Sequence, residues 1–540
     1  MMILGLTTLA RVEAGSVRSL DDISTAIKGI RQMPKDALRV LMEEFSVNPA
    51  PPLPKCESTP QVPPRSEIQP FNESYMKELT EYLVQTTLGP CEKGAHTPSS
   101  TALSGAFILG GKIQPLNFGC VSKEKPETPP TEKSVYRLAS VSKTFAVETI
   151  LQAFWDGKIS SLDDEIRKYF PDFYIVNPFG TGQPTFRQMM SQLSGIPREG
   201  PCSYCDITTE EMLERISQYN RLMMKPWTHP SYSNLAYSIC AKLISERLYD
   251  EPWGNYLIKH IASPLNMNCT GTNYTSEILS KMVTNYLLNG KEARFVDLGW
   301  LDPSGGVYST SEDMSLWVLH YLNEWKDATP LGELRRNTML QAFENPGGYT
   351  GIGYPFEIFS SNGYLVRTKS GDLPGLTSFI AMIPELDFGL VLLWNGAGIG
   401  TISVARSILD SVIPVLTEQY STYQSYHFPP VSDSFVKRYT GLYNAPGITV
   451  AVNTTTVSIL NNTRIAYVDL GELGTVPLQP VNSTGDSYDF RVYVDRSANP
   501  CLLWELQADV GEWVHFWTLG DGTKMFSFPG IMFTNFTYVA

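Results

Sequence analysis

Apolar and polar positions along the 540-residue chain change texture twice. From about Leu20 to Phe45, Ile23, Ile27, Ile30, Leu38, Leu41 and Phe45 recur at three- and four-residue spacing, which predicts an amphipathic helix. Prolines from Pro49 to Pro64 stop that pattern, because each removes a backbone donor and fixes φ. Between Phe71 and about Leu416, helical spacing dominates the middle and strand-like runs the two ends. Ser104–Leu109, Tyr364–Arg367, Ser378–Met382 and Gly389–Trp394 have the apolar, β-branched or aromatic content of strands. The last three are joined by turns too short for a crossover helix, so they should pair antiparallel. After Pro429-Pro430 the pattern becomes alternation, at Thr449–Val452, Val457–Leu460, Arg491–Val494 and Trp513–Trp517, which indicates an all-β unit. The expected organisation is a candidate signal segment over 1–14, a helical and Pro-rich lead-in over 15–70, an α+β domain over 71–425 and a β-rich domain over 432–540.

Composition narrows the function classes. Hydrophobic residues make up 42% and charged residues 18%, enough to build sizeable cores. A net charge of -13 argues against a nucleic-acid partner, which needs a concentrated positive surface. No apolar run is long enough to span a bilayer, so a small-molecule partner is the better expectation. Met1 to Ala10, followed by Val12 and Ala14, has the form of a short signal h-region with a small-residue cleavage site. Seven Asn-x-Ser/Thr sequons begin at Asn72, Asn268, Asn273, Asn453, Asn461, Asn482 and Asn535. Eight cysteines suit up to four disulfides, including a local Cys202–Cys205 bridge. Together these features predict a secreted, glycosylated protein.

The candidate chemistry begins at Ser140. Ser-x-x-Lys occurs twice, at Ser122 to Lys125 and at Ser140 to Lys143. The first lies among charges and prolines and reads as solvated surface. The second opens a run in which Phe145, Val147, Ile150, Leu151 and Phe154 recur at helical spacing, so Lys143 shares a helix face with Ser140. A capping serine with a snorkelling lysine would leave the same trace. Further along, Tyr232-Ser233-Asn234 heads another apolar stretch, and Lys369-Ser370-Gly371 ends a predicted strand.

In that order these clusters resemble the serine β-lactamase and penicillin-binding-protein superfamily, above all class C β-lactamases and their esterase and D-aminopeptidase relatives. Arg137 to Phe145 is similar to the class C nucleophile segment. Gly157–Asp164, Leu193–Pro197, Pro264–Met267, Ser304–Thr310 and Leu373-Pro374-Gly375 match other stretches of the family in order. The resemblance covers roughly residues 71–420. It implies an antiparallel sheet flanked by helices beside an all-helical subdomain, with the active site between them. The β-rich tail resembles the barrel-like domains appended to such hydrolases, and the whole layout resembles secreted fungal members.

The resemblance further implies a hydrolase of amide, ester or lactone bonds that acylates itself at Ser140 without a cofactor. Tyr232 would serve as base and Lys143 would polarise the hydroxyls, with Lys143 as the base the alternative. Asn234 would hold a substrate amide, Lys369 and Ser370 would attract a carboxylate, and the N–H groups of Ser140 and Asp372 would form the oxyanion hole beside Gly371. An acyltransferase using the same residues, or a binding protein of the same fold, remain alternatives. Two departures stand out. Asp372 replaces a small residue and puts a carboxylate at the cleft mouth, where it disfavours acidic substrates. Gln192 replaces a histidine common before Leu193-Ser194-Gly195.

Overall fold

The computed structural model describes residues 65–92, 100–202, 205–287, 289–326, 332, 341–342, 351–396, 401–424, 430–457, 463–471, 475–492, 513–528 and 535–539. The predicted signal segment and the Leu20–Phe45 helix lie outside the described residues, as does most of the Val457–Leu460 strand. Strands in the first half are β1 (Ala102–Leu109), β2 (Lys112–Gly119), β3 (Tyr136–Arg137), β4 (Tyr308–Ser309), β5 (Gln341–Ala342), β6 (Gly351–Ile352), β7 (Glu357–Ser361), β8 (Tyr364–Leu373), β9 (Leu376–Ile383) and β10 (Phe388–Trp394). The helices that matter for the site and the cores are α1 (Glu73–Thr87), α2 (Lys143–Trp155), α3 (Asn234–Leu248), α4 (Asp302–Gly305), α5 (Ser311–Lys326), α6 (Thr401–Gln424) and α7 (Asp433–Tyr439).

One antiparallel sheet runs in the order β2-β1-β10-β9-β8-β7-β6-β5. All four predicted strands of this region are in it. Tyr364–Arg367 extends as far as Leu373, so Lys369-Ser370-Gly371, expected at the end of the strand, is followed by two more residues of β8. Strands β1, β9 and β10 are buried along their whole length, because period-two alternation sends their side chains into two cores. Leu103, Phe107, Phe379, Leu390 and Leu392 face the core that holds Leu409, Val412 and Leu416 of α6 and Leu79 of α1. Ala106, Ile108, Ile380 and Val391 face the other core, which holds Trp317 and Val318 of α5 and extends through Phe145, Val147 and Ile150 of α2 to Leu235 and Ile239 of α3. Helix α2 is buried on every side near its start, so Lys143 enters the protein interior with it.

From Gly441 on, eight strands, β11 (Gly441–Ala445) to β18 (Asn535–Tyr538), close into an antiparallel barrel. Its interior is filled. Ser432 caps α7 by accepting from Phe435 N at 3.2 Å. Phe435 then packs with ring centroids 4.7 Å from Phe490 and 4.9 Å from Phe516, leaving side chains where a larger barrel would hold a ligand.

Among the described residues two disulfides form, Cys91–Cys120 and the expected Cys202–Cys205. Among the same residues Cys240 and Cys269 are free thiols, while Cys56 and Cys501 lie outside the described residues. The Ser122 motif is only half the solvated loop that its charges suggested, since Glu124 and Lys125 are exposed. Ser122 and Lys123 are buried, with Ser122 Oγ 3.2 Å from Tyr286 OH and the Lys123 ammonium over the Tyr286 ring.

Candidate active site

Ser140 sits in a short 3-10 turn, Ala139–Ser142, that leads into α2, one turn later than helical periodicity alone suggested. Ala139 carries φ of 46°, a left-handed conformation that a non-glycine residue holds only where its surroundings impose it. Those surroundings are β8 and β9. Ser378 donates to Leu138 O at 2.5 Å, and Gly371 lies so close that a Cβ there would stand 2.4 Å from Leu138 O and 2.6 Å from Ser140 N. A bare α-carbon at 371 is what lets the strand reach the nucleophile's backbone.

Three groups converge on or around the Ser140 hydroxyl. Tyr232 OH donates to Ser140 Oγ at 2.7 Å, and Lys143 Nζ donates to it at 3.0 Å. Lys143 also donates to Asn234 Oδ1 and to the Ser304 carbonyl, both at 2.7 Å. An ammonium has three protons, and these three acceptors account for all of them. Asn234 Nδ2 in turn donates to Glu199 Oε1 at 2.6 Å, so both ends of the amide have partners within the protein.

Tyr232 precedes α3, whose N-cap is Ser233. Gln192 fixes the approach of this segment. Its carbonyl accepts from Ser231 N and its side-chain Oε1 from Ser233 N, each at 2.7 Å, pinning the residues on both sides of Tyr232. Gln192 is buried with φ of 63°, so this clamp is built into a strained turn. The departure at this position therefore has a structural use.

Lys369 lies on β8 with 1% of its side chain exposed. Its ammonium meets Glu357 Oε1 at 2.6 Å and the Ser370 carbonyl at 2.9 Å, and stands 5.4 Å from the Tyr232 ring centre. Glu357 belongs to β7, where it pairs with Thr368. Asp372, three positions further along β8, is exposed. Its Oδ1 accepts from Thr377 Oγ1 at 3.0 Å, and alternation puts it on the opposite strand face from Gly371. The carboxylate that meets Lys369 is Glu357.

These contacts shift the ionisable groups in a consistent sense. Burial opposes ionisation of Tyr232, but the charges of Lys143 and Lys369 more than offset it and hold the phenol below its ordinary pKa. Burial lowers Lys143, and Lys369 adds to that against the opposing pull of Tyr232. For Lys369 burial also acts downward, yet Glu357 and Tyr232 outweigh it and hold it above the usual lysine value.

Sequence reasoning named Ser140, Lys143, Tyr232, Asn234, Lys369, Ser370, Gly371 and Asp372; the structure brings Lys143 and Tyr232 onto the Ser140 hydroxyl, with Asn234 bound to Lys143 and Lys369 beside the Tyr232 ring. It missed Glu357, Glu199 and the Ser304 carbonyl. Glu357 follows Tyr354-Pro355-Phe356 with no motif to mark it, and a carbonyl acceptor has no side-chain signature.

Known proteins with this architecture were found by sequence and by structure. A family model described as Beta-lactamase matches residues 101–410, more than half of the chain. A human beta-lactamase-like protein is 27% identical over 67% of this chain and 73% of its own. Beta-lactamase-like protein 2 of Dictyostelium discoideum is 33% identical over 51% of this chain and 52% of its own. The chain thus spans from about half to about three-quarters of these curated relatives. Among solved structures, a class C β-lactamase from Rhodobacter sphaeroides superposes with a TM-score of 0.52 at 19% identity, over 64% of this chain and all of that one. A penicillin-binding-protein homologue from Pyrococcus abyssi gives a TM-score of 0.52 at 20% identity, over 86% of this chain and 99% of that one. The fold is that of class C β-lactamases, followed by a closed eight-stranded barrel, and with the family match over its sheet and helices the chain belongs to the β-lactamase family.

Proposed function

We propose that this protein is a serine hydrolase that cleaves amide, ester or lactone bonds through an acyl-Ser140 intermediate. The observation that carries this reading is the meeting of Tyr232 OH and Lys143 Nζ on one serine oxygen, at 2.7 and 3.0 Å. A serine hydroxyl must lose its proton as it attacks, so a base within hydrogen-bond reach is required. Lys143 Nζ lies within hydrogen-bond reach of three acceptors at once, which suits a positioned group that polarises both hydroxyls. Tyr232, with its pKa lowered by two ammonium groups, is the base.

In acylation Ser140 Oγ bonds to the substrate carbonyl carbon while its proton passes to the Tyr232 oxygen. The oxyanion is held by the N–H groups of Ser140 and Asp372, a placement supported by the tight approach of Gly371 to Ser140 N. As the leaving-group bond breaks, Tyr232 returns the proton to the departing oxygen or nitrogen. Water repeats the sequence on the acyl-enzyme, releasing the acid and restoring Ser140. A substrate amide oxygen engages Asn234 Nδ2 by displacing Glu199.

We also infer secretion. Asn72, Asn268, Asn273 and Asn535 are exposed, as glycan acceptors must be, and two disulfides suit an oxidising compartment. A mobility shift on removal of N-glycans from the protein of its natural host tests this.

The test of the catalytic reading is intact mass and peptide mapping after exposure to a fluorophosphonate. The expected adduct is on the Ser140 peptide, absent in Ser140→Ala. Mapping matters because Ser487 Oγ also contacts a histidine, His515 Nε2 at 3.3 Å, on the half-exposed outer face of the barrel. An adduct on Ser487, or an unlabelled protein, overturns the assignment.

A further inference from the structure

The pair Lys369-Ser370 reads from sequence as an anchor for a substrate carboxylate. In the folded chain that anchor has a carboxylate on it already. Glu357 Oε1 accepts from Lys369 Nζ at 2.6 Å, while Oε2 lies 3.4 Å from Ser370 Oγ and 3.5 Å from Ser370 N. One carboxylate therefore spans the ammonium, the hydroxyl and the backbone amide, the three donors that an incoming acid would need.

The contact is closed as well as satisfied. Lys369 is 1% exposed and Glu357 17%, so no second acid reaches the ammonium while Glu357 stays in place. Displacing Glu357 is unfavourable, because it breaks a buried charge pair and sets two carboxylates against one cation. Lys143 offers no substitute, since its three protons are already directed at Ser140, Asn234 and Ser304. Both lysines near the nucleophile are spent on the protein's own groups.

We propose that Glu357 occupies the carboxylate subsite of this cleft, and that the protein's acyl donors are consequently esters, lactones or amides without a free carboxylate at that position. The proposal rests on the acyl-Ser140 reading and adds the substrate class to it. Glu357 acts as a specificity determinant built into the hairpin of β7 and β8: it keeps Lys369 charged beside Tyr232 while excluding acids from the place that the same lysine would otherwise offer them.

The experiment compares p-nitrophenyl butyrate with p-nitrophenyl hydrogen glutarate, which share a leaving group and differ chiefly in a terminal carboxylate. The wild type should favour the butyrate in kcat/KM. In Glu357→Gln, which keeps the volume and one acceptor but removes the charge, the ratio should move toward the glutarate by about tenfold or more, the size expected for relief of one close like-charge contact. A wild type that turns over the glutarate as well as the butyrate overturns the proposal. So does a Glu357→Gln protein with an unchanged ratio.

A second arm does not depend on turnover. Glu357→Ala leaves Lys369 buried without its anion, and sodium formate should fill the vacated position. Its melting temperature should then rise with formate over matched sodium chloride, as ligand linkage requires, while that of the wild type stays level. Equal responses in the two proteins overturn the proposal. If neither ester is hydrolysed and Ser140 takes no fluorophosphonate, the acyl-serine reading itself fails. A labelled Ser140 with an unmoved ester ratio and no formate response sinks only the role of Glu357.

Discussion

Asp302 shows how one side chain can tie stability to pH without touching substrate. It opens α4, the turn whose Ser304 carbonyl accepts from Lys143, and its Oδ1 is buried without a hydrogen-bond partner. Burial, reinforced by Asp297 and only partly offset by Lys242 and Arg137, pushes its pKa up to about 7. An unfolded chain releases that proton near 3.9. Between those values the folded state binds the proton more tightly, so stability falls as pH rises from about 4 to about 7 and is level above. Asn at this position never ionises. The stability of Asp302→Asn relative to wild type, from urea unfolding at pH 4 and pH 8, should improve by about 2–4 kcal/mol across that interval. A difference that does not change with pH would show that the carboxyl is already ionised in the fold. Gln192 makes a related point, since one residue clamps both neighbours of Tyr232 although its type suggested only a missing histidine.

At the scale of elements, catalytic geometry depends on how closely β8 meets the 3-10 turn. The turn is held in place by Ser378 on β9 and left room by Gly371 on β8. A methyl group at 371 would stand 2.4 Å from one backbone atom and 2.6 Å from another, neither of which can rotate away. Gly371→Ala should therefore push the turn that carries Ser140 away from β8, and fluorophosphonate labelling should slow by about 100-fold or more even where the far-ultraviolet circular dichroism is unchanged. Labelling at the wild-type rate would mean that the turn adapts and that its distance from β8 is not critical. The element boundaries explain why this was only partly legible. Lys369-Ser370-Gly371 could be seen as the end of a strand, but that β8 continues through Leu373 depends on its pairing with β9, a partner that β-propensity does not name.

For the whole molecule, covalent links and charge set the surroundings in which the site works. Among the described residues, Cys91–Cys120 and Cys202–Cys205 are bridged while Cys240 and Cys269 are not. The Cys91–Cys120 link joins residues 29 positions apart, a constraint worth about 3.6 kcal/mol in the chain-entropy picture. Alkylation of the denatured, unreduced protein should label Cys240 and Cys269 and leave those four cysteines unmodified until reductant is added. Peptide mapping that finds Cys240 or Cys269 protected would require a different pairing. Burial raises the thiol of Cys240, and burial with Asp313 raises that of Cys269, so neither should react readily in the native protein at neutral pH.

What the chain determined by itself were features carried over short spans: the three-residue spacing that puts Lys143 beside Ser140, the alternation that lets β1, β9 and β10 be buried on both faces, and the change of texture after Pro429-Pro430 that becomes a barrel. Each follows from a fixed helical or strand period, so it survives in the order of residues. Tertiary structure decided the rest. That Ser304 lends a carbonyl to a lysine 161 positions away, that β11 meets β18 to close the barrel, and that Glu357 faces Lys369 are all contacts made after distant segments pack. Packing selects such partners by shape and charge over the whole domain, and no local spacing encodes that choice.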